Sequence, residues 1–134
     1  MIFPLDNYIG MRYTQITIYR QTKELRTLNN DLALTEATYY ILLSLYRPQH
    51  GYGIMQQTES LSGGRVRLAA GTLYGALNSM SEKGWICQLP VEDGSRKKEY
   101  RLTERGLAVL ENEIERLREL VRSGEKVMGG EINA

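Results

Sequence analysis

Cysteine, histidine, tryptophan and phenylalanine each occur once in this 134-residue chain. A single thiol, Cys87, excludes an intramolecular disulfide, and with only His50 beside it the soft ligands that a zinc site needs run out. No metal and no other cofactor is expected. That one histidine precedes a glycine turn, and no nucleophile stands with a base beside it, so the chain does not read as an enzyme. Long hydrophobic runs are missing as well. The longest, Tyr39 to Leu43, falls far short of a bilayer span, and MIFPLDNYIG carries an acid and lacks the basic segment that opens a secretory signal. No membrane partner is expected, and the cytoplasm is the default location.

What remains is one domain's worth of chain, 42% hydrophobic, enough for a single modest core. The formal net charge of +1 hides a division, because residues 47–101 hold eight Lys/Arg against five Asp/Glu and residues 102–134 hold five against seven. The basic middle is where an anionic partner would sit, although a difference of this size is also common on ordinary surfaces.

Residues 1–33 form an N-terminal extension, read as a weakly ordered tail and a short helix. Arg12 to Tyr19 alternates like a strand, while Leu25, Leu28 and Leu32 recur at helical spacing. Met11 offers a second start. From Leu34 the signals sharpen: Thr35 can accept from first-turn amides, Glu36 suits the positive end of the dipole, and Leu34 can staple against Tyr39. A helix is expected from about Thr35 to Tyr46, stopped by Pro48, and its Tyr40, Ile41, Leu42, Leu43 and Leu45 are apolar nearly all round, which puts it mid-core. HGYGIMQQTESLSGG reads as a turn and a second helix, about Tyr52 to Leu61, with Ile54, Thr58 and Leu61 on one side and Gly63-Gly64 at its end. A third helix covers about Ala70 to Lys83, closed by Gly84.

The period then changes. Trp85 to Leu89 and Lys97 to Leu102 alternate around a tip containing Asp93-Gly94, the pattern of a hairpin. A final helix starts after Thr103, a natural N-cap, with Leu107, Leu110, Ile114, Leu117 and Val121 spaced 3, 4, 3, 4. Run to about Ser123, it is roughly 30 Å long, more than a three-helix core needs. The fold class is therefore mainly α with a small β-hairpin: a winged helix-turn-helix over residues 34–102, then a C-terminal dimerisation helix and tail over residues 103–134.

On a helical wheel the third helix turns Leu73, Ala76, Leu77 and Met80 to the core. Its opposite face is Gly71, Gly75, Asn78, Ser79 and Glu82, edged by Thr72 and Tyr74. Two mid-helix glycines cost roughly 2 kcal/mol relative to alanine, and close approach of another surface would explain them. A major groove accepts a helix, so Thr72 and Tyr74 would reach phosphates from either side and Asn78 would read adenine bidentately. The competing reading puts Gly71 in a frayed first turn and packs Gly75 against another helix. Arg96, Lys97 and Lys98 stack three cations on the hairpin, and Arg65 and Arg67 lead into the third helix, so cations flank the small-residue face on both sides. A basic run of this kind is more often a solvated face.

LTEATYYILLSL, HGYGI, GTLYGAL, EKGWI and KKEYRLTERG, in this order and spacing, resemble the successive signatures of the PadR family of bacterial transcriptional regulators, over about Leu34 to Ser123. The resemblance implies a homodimeric winged helix repressor on a palindromic operator of double-stranded DNA, dimerised by its last helix. It assigns the DNA contacts to Thr72, Tyr74, Lys97 and Lys98; geometry adds Arg65, Arg67, Gly75, Asn78 and Arg96. The single C-terminal helix is similar to that of the smaller subfamily. Two departures stand out. The family often caps the third helix with Ser-Pro, and here Ala69 and Ala70 stand there, forgoing about 1 kcal/mol. The last helix contains no Trp, Tyr or Phe to stack a flat ligand.

The expected dimer contacts are Leu107, Leu110, Ile114, Leu117, Leu120 and Val121, with residues up to Leu110 also able to lie on the protein's own hairpin and first helix. Two-fold symmetry would then place the two third helices about 34 Å apart. A small-molecule effector of unassigned identity would have to favour one spacing. Met80, Trp85, Met128 or the N-terminal tyrosines are candidate lining, against a plainer role in core or tail, and the glutamates from Glu111 to Glu119 read as solvated. The rival to a DNA-binding regulator is a winged-helix dimer that binds protein, which salt dependence would separate.

Overall fold

The computed structural model describes residues 33–90 and 97–130. The expected N-terminal tail and helix, Met11, the Asp93-Gly94 turn and Arg96 lie outside the described residues.

Helix α1 spans Glu36–Ser44. Thr35 caps it as expected, its hydroxyl accepting from the Thr38 amide at 3.2 Å. Ile41, Leu42, Ser44 and Leu45 are buried, which makes α1 the central helix of the core. After Pro48 the chain is extended for two residues, β1 (Gln49–His50), and these pair with the outer side of the hairpin. The expectation of a plain turn here is corrected, since two residues are too few to show alternation.

Helix α2 (Gly51–Leu61) starts on His50, whose Nδ1 accepts from the Gly53 amide at 3.1 Å. Ile54 and Thr58 are buried as expected, but Leu61, on the last turn, is exposed. Gly63 and Gly64, at φ of 62° and 84°, turn the chain away. Helix α3 covers Ala70–Glu82 and buries Leu73, Leu77 and Met80. Gly84, at φ 75°, ends it.

Strands β2 (Ile86–Gln88) and β3 (Glu99–Leu102) pair antiparallel with Ile86 opposite Leu102. Because Gln49 lies opposite Tyr100 on the far side, the sheet order is β1-β3-β2 and β3 is central.

Helix α4 (Glu104–Met128) runs past the expected end at Ser123 and is about 37 Å long. Its start is tied to the hairpin: the Thr103 hydroxyl donates to the Gly84 carbonyl at 2.6 Å and accepts from the Gly106 amide at 3.1 Å. Gly106 lies so close to strand β2 that a methyl group there would overlap the Trp85 carbonyl. Leu110, 3% exposed, belongs to the core with Ile41, Ile54, Leu77, Ile86 and Tyr100. Leu110 is thus not available to a partner, and the expectation that it serves dimerisation is corrected.

Glu113 corrects a second expectation. Far from solvated, it is 2% exposed, and its carboxylate accepts from the Leu34 amide at 2.6 Å and from Arg116. A buried carboxylate persists only when paired and hydrogen-bonded, and Glu113 has both partners. It fastens α4 to the chain just ahead of α1.

Candidate nucleic-acid interface

The outward face of α3 is built from what the core leaves over. With Leu73, Leu77 and Met80 turned inward, the helix presents Gly71, Thr72, Gly75, Asn78, Ser79 and Glu82 to solvent. A Cβ added at Gly71 or at Gly75 would meet nothing within 4 Å. No helix of the described residues packs on Gly75, so the alternative that explained it by internal packing has no partner here. The glycines lower the profile of a surface that is already open.

Tyr74 lies at one edge of that face, 46% exposed, with the end of its ring over Gly51, the first residue of α2. It is also beside Tyr100 of the central strand. Burial, and secondarily the neighbouring Tyr74, push the Tyr100 phenol above its ordinary value. Sequence reasoning placed Tyr74 at an edge; that the side chain also reaches from α3 to α2 had no signal in the helical pattern. Thr72 is exposed on the same turn of α3.

The cations divide into two groups. Arg65 pairs with Glu36 at 3.1 Å and Arg67 with Glu59 at 3.2 Å, both on the surface. Exposed pairs of this kind are worth about 0–1 kcal/mol, so either arginine can exchange a carboxylate for a phosphate at little cost. Lys97 and Lys98 are exposed immediately ahead of β3, the strand that carries Tyr100.

At the other end of the molecule α4 leaves the core. Leu107 and Ile114 are half-buried, whereas every residue from Leu117 to Gly130 is exposed, including Leu120 at 55% and Val121 at 57%. Tyr39, Ile114, Leu117 and Val121 line a shallow groove of about 350 Å³ with Arg118 and Arg122 at its rim. The hydrogen bond from Arg122, with a weaker one from Arg118, holds the Glu115 carboxyl below its usual value. Of the candidate effector residues, Met80 is in the core, Trp85 packs against that core under the Lys83 ammonium, Met128 is 90% exposed at the end of α4, and the N-terminal tyrosines lie outside the described residues. Among the described residues no helix is long and apolar enough to cross a membrane, and no group of three or more His, Cys, Asp or Glu could hold a metal ion.

Residues 40–112, more than half of the chain, match the model of the transcriptional regulator PadR-like family. The chain belongs to that family. Its PadR-like fold is shared with solved structures of low identity. A PadR family transcription regulator from hypervirulent Clostridium difficile R20291 is 23% identical, with a TM-score of 0.59 over 70% of this chain and 99% of that one. A PadR family transcriptional regulator from Eggerthella lenta DSM 2243 is 24% identical, with a TM-score of 0.56 over 84% and 93%. A transcriptional regulator from Clostridium thermocellum is 20% identical, with a TM-score of 0.57 over 68% and 87%. A comparison with curated proteins found no match. Within this PadR-like chain the family match runs from α1 into α4, across every element that builds the α3 face.

Proposed function

We propose that this PadR-like regulator binds a palindromic operator in duplex DNA as a homodimer and represses transcription until an effector changes the spacing of its two α3 helices. The observation that carries the reading is the outer face of α3, where Gly71 and Gly75 have open space beyond them and Thr72, Tyr74 and Asn78 stand exposed around them. A major groove is about 12 Å wide and admits a helix whose outward side chains are small. Thr72, Tyr74, Arg65, Arg67, Lys97 and Lys98 supply phosphate contacts, which position the protein, and Asn78 reads a base edge. Gly75 lets the backbone approach. Arg96 would extend the basic wing. Residues 34–102 act as the DNA-binding unit, and the free part of α4, with Ile114, Leu117, Leu120 and Val121, joins two copies; Leu107 flanks that seam.

The test selects bound fragments from random duplex DNA with the purified protein, then repeats the selection with Lys97→Ala/Lys98→Ala and with Asn78→Ala. An inverted repeat is expected. Loss of the two lysines from each protomer weakens all sites alike and, with four cations gone from the dimer, lowers the salt slope by about 4. Asn78→Ala relaxes preference at one base pair of each half-site by about 1–3 kcal/mol. No enriched sequence and no affinity at low salt would end this reading.

A further inference from the structure

Gly51 has no backbone reason to be glycine. It is the buried first residue of α2, and it is not among the glycines with positive φ. Alanine is the better helix former by up to about 1 kcal/mol. The reason is on the side-chain side: the three nearest heavy atoms to a Cβ built at Gly51 all belong to Tyr74, the hydroxyl oxygen at 2.5 Å, Cζ at 3.0 Å and Cε1 at 3.5 Å.

We propose that Gly51 is a positioning residue for DNA binding, whose missing side chain lets the Tyr74 hydroxyl rest on the first turn of α2. The inference rests on the DNA-binding reading above. Seated there, Tyr74 couples the α3 face to the first turn of α2. α3 lacks a side-chain cap at its own start. The Tyr74 ring therefore fixes the first turns of α3 from outside the helix. A methyl group at residue 51 displaces the hydroxyl by about 1 Å to reach ordinary van der Waals separation, enough to break a hydrogen bond to a phosphate.

The test compares wild-type protein, Gly51→Ala, Tyr74→Phe and the double variant for binding to the selected operator duplex, with a thermal melt of each. Gly51→Ala is expected to bind about ten-fold more weakly and to melt no lower than wild type. Tyr74→Phe removes the nearest clashing atom, so adding Gly51→Ala to it costs less than about two-fold. Undiminished binding by Gly51→Ala overturns the inference. So does an equal loss in both backgrounds, which would place the effect in α2 itself. If Gly51→Ala lowers the melting temperature, adding Tyr74→Phe must restore both it and the binding level of Tyr74→Phe alone; failure to do so also overturns the inference. Wild-type protein with no affinity for duplex DNA at low salt would instead remove the DNA-binding reading, a result distinct from every outcome of the Gly51 series.

Discussion

Thr35, His50 and Thr103 each place a side-chain acceptor at the start of a helix, and among the described helices α3 alone begins without one, on Ala69 in an extended backbone that a capping residue would fit. Ala69→Ser is expected to raise stability by about 1 kcal/mol, read as a rise of about 4–8 °C in melting temperature; an unchanged melt would contradict the uncapped start. The two threonine caps were legible because each precedes an acid and an apolar period. His50 was not, since imidazole is no usual cap and its role appears only when Nδ1 is seen to face the Gly53 amide. Gly51 and Gly106 were illegible for a related reason: what demands glycine there is Tyr74 in one case and the Trp85 carbonyl in the other, both distant in sequence. Glu113 was misread among a run of glutamates. Its position three residues after Leu110 and four before Leu117 placed it on the apolar stripe, and that was the signal available.

Among the elements, α4 was read correctly at its start and too short at its end. The 3, 4, 3, 4 spacing marked the stripe and took the helix to about Ser123, whereas the helix carries Gly124 without positive φ and continues to Met128. A Cβ at Gly124 would meet nothing within 4 Å. Counted on from Leu117 and Val121, Gly124 and Met128 keep the same spacing, so the free stripe has a notch where a second helix can approach closely. Leu117→Glu/Val121→Glu is expected to convert dimer to monomer in sedimentation while leaving the fold intact, because neither side chain is buried in the protomer. A wild-type chain that sediments as a monomer at micromolar concentration would refute the α4 seam. The hairpin was legible from alternation; β1 was not, because its pairing with β3 depends on where the third strand lies rather than on its own two residues.

At the scale of the whole molecule, the sheet and the four described helices close over one core whose central strand carries Tyr100. Tyr100 and Tyr39 both have phenols held above the ordinary 10.0, chiefly by burial, with Tyr74 adding to the first and Tyr40 and Glu113 to the second. The folded state therefore keeps protons that the unfolded chain releases, and stability is complete below pH 10 and lost as pH rises through the folded values. Denaturant midpoints measured from pH 9 to 11 should fall across that range, and less steeply in Tyr100→Phe; equal slopes would show that Tyr100 does not contribute. The order of helices and hairpin was legible because each element has its own period and stop, and the family because five short motifs in that order resemble its signatures. How the elements lean on one another was not, because those contacts join residues distant in sequence. The bond from the Leu34 amide to Glu113 spans 79 residues. During synthesis such a closure has to wait: α1, α2, α3 and the wing are all made before the residue that fastens α1 exists. A chain emerging from the ribosome thus holds its apolar α1 unfastened until α4 follows, so the last step in making this regulator is also the one that ties its first helix to its last.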